Sequence, residues 1–297
     1  MKIKTKGIIL AGGNGSRLFP LTKCISKQLL PVYDKPMIYY PLSVLMEAGI
    51  KEILIISTNK DLPRFKDIFS DGSGLGLQIS YAEQPKPKGI AEAFIIGSDF
   101  IGNSNVCLIL GDNIFYGDGF KNKLENALEN LDKSYSTIFS VKVDNPKDFG
   151  VIEFNDNNMV SKIIEKPHET NSSNIVSGLY FYTNNVVKIS NTINPSDRGE
   201  LEITDINNHF LKHKRLRVIK LNKSFYWSDT GTYDSLIKAS KFCQEYEEVT
   251  GKKISCIEEI AFRKGYISKD KFLKIANSLA SSNYGKYLIN KIKDLRI

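Results

Sequence analysis

No apolar run in the 297-residue sequence approaches the roughly eighteen residues of a membrane span. The basic start, Met1-Lys2-Ile3-Lys4-Thr5-Lys6, runs straight into apolar residues and lacks the apolar core and small-residue cleavage site of a signal peptide. Histidine is scarce. His168, His209 and His213 are the only three, which argues against a histidine-rich metal centre. The four cysteines, Cys24, Cys107, Cys243 and Cys256, are scattered and form no C-x-x-C pair. Free thiols in a reducing compartment are therefore expected rather than disulfides or a zinc site. The expected location is cytoplasmic, with no membrane partner. No internal repeat, low-complexity tract or clear linker is visible, so one domain is expected rather than two independent ones.

With 41% hydrophobic and 25% charged residues the composition is that of a globular protein, long enough to bury a substantial core. Lys+Arg exceed Asp+Glu by 41 to 33, giving +8. A basic balance fits a polyanionic ligand, either nucleic acid or a nucleoside triphosphate. The densest basic run, Lys212-His213-Lys214-Arg215-Leu216-Arg217, carries no interleaved aromatic residues. It reads as a solvated surface, and no nucleic-acid partner is expected.

Along the first half, apolar strands alternate with helical segments. The expected strands include Ile8–Leu10, Lys51–Ser57, Leu77–Tyr81 and Val106–Leu110. Helical patterns lie at Pro36–Gly49, Leu62–Phe69 and Gly89–Gly97. That alternation predicts an α/β fold, Rossmann-like and doubly wound, on a mostly parallel mixed sheet. After about residue 135 the strands are close-set: Thr137–Val141, Val151–Phe154, Val160–Ile164 and Ile175–Phe181, with a turn at Asn155-Asp156-Asn157-Asn158. This predicts an added antiparallel portion. Leu201–Lys214 and Ser235 onward read as helical, and Tyr246–Ile297 as a proline-free helical tail. The chain thus divides into residues 1–135, 136–240 and 241–297.

The first forty-odd residues carry the strongest chemical signal. Ile8-Ile9-Leu10 empties into Ala11-Gly12-Gly13-Asn14-Gly15-Ser16-Arg17. Glycines without Cβ atoms let backbone N–H groups approach an anion, and Arg17 and Lys27 add fixed positive charge. The stretch is neither G-x-G-x-x-G nor the NTPase P-loop, and its glycines alone fit an ordinary strand-to-loop turn equally well. In Leu108-Ile109-Leu110-Gly111-Asp112-Asn113 an Asp stands at the C-terminal end of a buried strand, the edge where open α/β sheets bind ligands. Asp112 there either holds a hard cation such as Mg²⁺ or caps a turn. Asp229, in Tyr226-Trp227-Ser228-Asp229-Thr230-Gly231, could share the same ion. Gln84 offers a donor and an acceptor together, which suits the N3–H and O4 edge of thymine or uracil. Glu165-Lys166 before Pro167 reads on its own as a surface ion pair.

Leu10 to Pro20 followed by Ser26-Lys27-Gln28-Leu29-Leu30-Pro31-Val32-Tyr33-Asp34-Lys35-Pro36-Met37 closely resembles the signature of the sugar-1-phosphate nucleotidyltransferases, and most of all its thymidylyl-transferring branch. Ser16 stands where that family usually has Thr. Phe149-Gly150-Val151, Ile164-Glu165-Lys166-Pro167, Val176-Ser177-Gly178 and Arg198-Gly199-Glu200-Leu201 match its sugar-phosphate half. The resemblance spans roughly the whole chain. It implies Mg²⁺-dependent transfer of a nucleotidyl group from dTTP to glucose 1-phosphate, at the head of a dTDP-deoxysugar pathway; use of UTP or another sugar phosphate is the alternative.

The resemblance also implies residue roles. Leu10, Gly12, Gly13, Gly15, Ser16, Arg17, Lys27, Gln28, Gln84, Gly89 and Asp112 would bind the nucleotide, with Arg17 and Lys27 on the triphosphate. Gly150, Glu165, Lys166, Val176 and Glu200 would bind the sugar phosphate, and Asp112 and Asp229 the metal. The catalytic set would be Arg17, Lys27, Asp112, Lys166 and Asp229. It further implies a homotetramer inhibited by dTDP-L-rhamnose at a second site built from Tyr116, Gly117, Glu259 and Arg263, with Asp118 where relatives often carry His.

Overall fold

The computed structural model describes residues 3–13 and 15–294. Asn14 of the glycine-rich loop, the first two residues and the last three of the tail lie outside the described residues. The strands are β1 (Thr5–Leu10), β2 (Pro31–Val32), β3 (Lys35–Pro36), β4 (Glu52–Ser57), β5 (Gln78–Glu83), β6 (Asn105–Leu110) and β7 (Ile114–Tyr116). They continue with β8 (Ser136–Lys142), β9 (Gly150–Phe154), β10 (Val160–Glu165), β11 (Asn174–Tyr182), β12 (Leu216–Lys220) and β13 (Tyr226–Ser228). The helices of the first half are α1 (Tyr39–Glu47), α2 (Leu62–Phe69), α3 (Glu92–Ile96), α4 (Ser98–Ile101) and α5 (Phe120–Asp132). Those of the second are α6 (Asn185–Ser190), α7 (Ile203–Lys212), α8 (Tyr233–Thr250), α9 (Ile257–Arg263), α10 (Lys269–Ser278) and α11 (Asn283–Asp294).

Nine strands form one mixed sheet in the order β10-β9-β11-β6-β1-β4-β5, with β8 pairing β11 and β12 pairing β8. β6, β1, β4 and β5 are mutually parallel, whereas β11 runs antiparallel to β6. The expected antiparallel portion is therefore not a separate layer but a continuation of the same sheet. Strand order reverses at β1, which has β4 on one side and β6 on the other. Crevices at such reversals, beyond the carboxyl ends of the strands, are where open α/β sheets bind ligands.

The central strands are apolar throughout because both faces are covered. Successive side chains alternate between them. Ile9, Ile55 and Ile109 pack under α1, α2 and α9–α11 with Leu42, Phe65, Ile257 and Phe272. Ile8, Ile56 and Leu108 pack under the opposite helices with Phe94, Ile206 and Phe210. Each fully buried isoleucine contributes about 1.5–3 kcal/mol relative to exposure. A third cluster, Leu18, Val32, Tyr40, Ile114 and Ala239, seats α8 against the signature loop. α8 starts cleanly because Thr232 and Ser235 cap one another.

One expectation needs correction, and two segments carry structure that the sequence signal did not show. The basic run Lys212-His213-Lys214-Arg215-Leu216-Arg217 is solvated as expected, with its charged side chains exposed; from Leu216 it also becomes β12, an edge strand parallel to β8, and Arg217 lies over the Tyr135 ring at 4.1 Å. The tail is not helical throughout, since a loop separates α8 from α9. α5 carries no strong sequence signal, yet it is a full helix burying Leu124, Ala127 and Leu131. Among the described residues no helix is long and apolar enough to cross a membrane.

Candidate active site

The parallel register sets Leu10 beside Leu110, so the loops leaving β1 and β6 start side by side. One carries the glycines and the other Asp112. The chain after β5 joins them, because the Gln84 backbone N–H donates to the Ser57 carbonyl at the end of β4. Gln84 is buried against the glycine loop: a Cβ on Gly12 would sit 2.3 Å from Gln84 Oε1. Gly89 has φ +101°, and a Cβ there would collide with the Leu201 carbonyl at 2.3 Å. The base-side loop is thereby fastened to the Glu200-Leu201 segment, whose Leu201 N–H donates to the Lys88 carbonyl.

Lys27 is the centre of the site. It is 8% exposed, and its ammonium donates to Asp112 Oδ2 at 2.7 Å and to the Asp229 carbonyl at 2.9 Å. The sequence reading puts Lys27 on the triphosphate. Here its ammonium joins the two loops, through the half-buried Asp112 carboxylate and the Asp229 backbone carbonyl, while the residue still borders the glycine-loop cavity. Thr230 completes the joint. It adopts φ +45°, sparsely populated for a β-branched residue, while its hydroxyl donates to the Asp112 carbonyl at 2.8 Å. Burial, and then the charge of Asp112, push the Asp229 carboxyl above the ordinary aspartate range, with Lys27 and Arg17 opposing.

Asp112 and Asp229 border two cavities at once. The first is lined by Gly13, Gly15, Ser16, Arg17, Lys27 and Gln28. Arg17 is 57% exposed and only loosely paired with Asp148 at 3.8 Å, so its fork is open to a ligand. The Gln28 amide oxygen accepts from Ser26. The second cavity is lined by Gly150, Glu165, Lys166, Val176, Arg198 and Glu200. Burial raises the Glu165 carboxyl above its usual range, opposed by the Thr204 hydroxyl that donates to it. Lys166 sits at φ +39° immediately before Pro167, a costly backbone state, and is exposed.

Repulsion between Asp112 and Asp229 is what a dication would relieve, so these residues fit one. Among the described residues no group of three or more His, Cys, Asp or Glu side chains is assembled for a metal. Two carboxylates leave coordination places for phosphate oxygens and water, the usual pattern for Mg²⁺.

Three further residues shape the site. Arg198 bridges Glu202 at 2.8 Å, Glu200 at 3.4 Å and Glu165 at 3.6 Å. The only tryptophan, Trp227, donates its indole N–H to Asn113 Oδ1 at 2.8 Å and to the Ser177 carbonyl at 3.0 Å. Glu92 accepts from Gln84 Nε2 at 2.8 Å. Arg198 and Trp227 lie inside the motifs read from the sequence, but their partners are not visible there.

A third cavity is lined by Glu47, Tyr116, Gly117, Asp118, Lys121 and Arg263. Glu259, expected with them, does not line it. Its carboxylate accepts from the Tyr287 hydroxyl and lies 3.7 Å from Lys291. α9 turns that face toward α11, because the apolar Ile257, Ile260 and Ala261 must face the main core. Arg263 is paired with Glu47 across the cavity.

A family profile described as nucleotidyl transferase matches residues 6–246. The chain belongs to the nucleotidyl transferase family, whose members generally use a divalent metal. Within it the chain is similar to glucose-1-phosphate thymidylyltransferases. That of Neisseria meningitidis is 51% identical over 97% of this chain and 99% of its own length. That of Mycobacterium tuberculosis is 47% identical with the same coverage. A crystal structure from Bacillus anthracis, assigned as such an enzyme and holding sucrose, superposes with a TM-score of 0.74 at 39% identity, covering 80% of this chain and 94% of that one. UDP-glucose pyrophosphorylase complexed with UDP-glucose superposes at 0.71 with 26% identity, covering 83% and 99%.

Proposed function

We propose that the protein transfers the thymidylyl group of dTTP to α-D-glucose 1-phosphate, giving dTDP-glucose and pyrophosphate. The observation that carries this is the pair Asp112 and Asp229 at the border of two cavities. One is built for a triphosphate and the other for a sugar phosphate. A phosphate oxygen of the sugar attacks the α-phosphorus of dTTP. The new O–P bond forms as the bond to the bridging oxygen breaks, and pyrophosphate leaves in line with the electron pair. The attacking phosphate is already ionised near neutral pH, so no general base is assigned. Catalysis is alignment and charge neutralisation. A Mg²⁺ ion on Asp112 and Asp229 would supply charge compensation to the phosphoryl oxygens.

Arg17 grips the phosphates of the departing group, and Lys27 holds the two aspartates in register beside them. Gln84 and the backbone at Gly89 recognise the base, with Gln28 nearby. Glu165 and Glu200 accept hydrogen bonds from sugar hydroxyls, and Gly150 and Val176 shape the pocket. Pyrophosphate release with each pairing of dTTP, UTP or dCTP with glucose 1-phosphate or another sugar phosphate tests the assignment. A clear preference for UTP would replace it with the uridylyl reaction.

Lys166 offsets the repulsion between two anionic reactants. Lys166→Ala is expected to cut kcat/KM for glucose 1-phosphate by at least about 10²-fold while dTTP binding changes by less than about threefold. Steady-state kinetics with one substrate saturating, and calorimetric dTTP binding, make the comparison. Equal weakening of both would remove Lys166 from the sugar-phosphate side.

We further propose that the cavity at Tyr116, Gly117 and Arg263 is a second nucleotide site in a homotetramer, with dTDP-L-rhamnose as its inhibitor. Exposed apolar side chains on α8, Ile237 at 66% and Val249 at 85%, offer surface for a subunit contact. A bound diphosphate would take Arg263 from Glu47. Arg263→Ala is expected to raise the half-inhibitory concentration at least about tenfold. Inhibition that stays unchanged in the variant and purely competitive with dTTP would refute this, and sedimentation decides the tetramer.

A further inference from the structure

We propose that Glu92 fixes the orientation of the Gln84 amide, and so sets which base edge the nucleotide must present; this rests on the reading of Gln84 as the base-recognising group. A glutamine amide is nearly symmetrical in shape but not in chemistry. Turned one way it shows an acceptor, turned the other way a donor. An unsupported glutamine therefore discriminates poorly between bases that differ at that edge.

Here the turn is decided by a neighbour. Glu92, the first residue of α3, holds Oε2 2.8 Å from Gln84 Nε2. An ionised carboxylate only accepts, so it takes the NH₂ side of the amide and refuses the carbonyl side. Turning the amide over would set two acceptors against each other. Gln84 is 2% exposed, so no solvent stands by to satisfy the flipped form. The same carboxylate takes a longer hydrogen bond from the Lys88 backbone N–H at 3.4 Å, which ties it to the loop carrying Gly89.

With one Nε2 hydrogen on Glu92 the amide is fixed in this sense, and Oε1 faces the glycine loop, 2.3 Å from where a Gly12 Cβ would lie. On the reading of Gln84 as the base-recognising group, that acceptor is what the base meets once it settles against the glycine loop. Thymine and uracil meet it with N3–H. Cytosine brings an unprotonated N3, a second acceptor, and is rejected. Glu92 touches no substrate in this scheme. It is a positioning residue, and it acts on selectivity rather than on chemistry.

The test uses full-length protein and three variants, Glu92→Leu, Glu92→Gln and Gln84→Leu, with kcat and KM measured for dTTP and dCTP against glucose 1-phosphate. Glu92→Leu should lower the ratio of kcat/KM for dTTP over dCTP by at least about tenfold. The loss should fall on KM for dTTP, with kcat held within about twofold. Glu92→Gln, whose own amide can accept but can also turn, should lie between the wild type and Glu92→Leu. A merely structural Glu92 would lower both substrates alike and leave the ratio unmoved. If both Glu92 variants keep the wild-type ratio while Gln84→Leu loses it, the inference is wrong and Gln84 keeps its role. If Gln84→Leu keeps the ratio as well, the reading of Gln84 falls and takes the inference with it. Should Glu92→Leu fail to fold, the isosteric Glu92→Gln decides alone: a ratio lowered at least about threefold supports the inference, and an unchanged ratio overturns it.

Discussion

Asp112→Asn and Asp229→Asn should each lose at least about 10²-fold in turnover at saturating Mg²⁺, because several kcal/mol of charge stabilisation is removed. Their stabilities should part company. Asp112 faces the Lys27 ammonium at 2.7 Å, so neutralising it leaves a buried cation underpaired and lowers the melting temperature. Asp229 is different. Its carboxyl is raised by burial and by Asp112, so its ionised form costs the fold stability. The amide in Asp229→Asn can still accept from the Gly231 N–H, which Asp229 Oδ1 does at 3.1 Å. Metal-free Asp229→Asn should therefore melt at or above the wild-type temperature while being nearly inactive.

The pH dependence has a definite sign. Asp229 binds its proton more tightly folded than unfolded. Between its ordinary value and its raised folded value the native state holds more protons, so metal-free stability falls as pH rises through that window. The variant should lack that component. Calorimetry in chelator across the acid range, set beside pyrophosphate-release assays, checks both halves. Near-normal turnover in either variant would remove that residue from the metal site. A lowered melting temperature for metal-free Asp229→Asn would contradict the repulsion.

Lys27→Met should abolish most turnover and cost the fold about 1.5–3 kcal/mol, since the carboxylate it strands is part-buried and keeps the Asn113 amide as a donor. The methionine can fill the space of the stem but cannot donate to Asp112 or to the Asp229 carbonyl. Made in the Asp112→Asn background, the same change should cost at least about 1 kcal/mol less, because the carboxylate it would strand is already gone. Denaturant unfolding of the four proteins in the cycle gives the coupling directly. Additive losses would mean that Lys27 is held by something other than Asp112.

The apolar runs at Ile8-Ile9, Leu54-Ile55 and Leu108-Ile109 were legible because a strand covered on both faces must be apolar at successive positions. The placing of Asp112 followed for the same reason, since the end of a buried strand is visible wherever its apolar run stops. The glycines, Arg17, Glu165-Lys166-Pro167 and the Asp229 turn were legible as motifs. α5 was not, because three buried apolar side chains among polar ones make a weak stripe. β12 was not either, since a short edge strand that carries exposed Arg217 and Lys220 directly after a basic run reads as surface.

The sequence by itself determined the elements, the buried faces and the residue types that chemistry would need, because these depend on spacing along the chain. Tertiary structure alone decided which of them meet. It brought Lys27 to the Asp229 loop across 202 positions and to Asp112 across 85. It turned Glu259 away to Tyr287 and set Glu92 behind Gln84. The physical reason is that spacing along the chain reports which side of an element is buried. Partners in a buried polar cluster are chosen by strand order and by the need to neutralise charge where loops converge, and neither is written in local spacing.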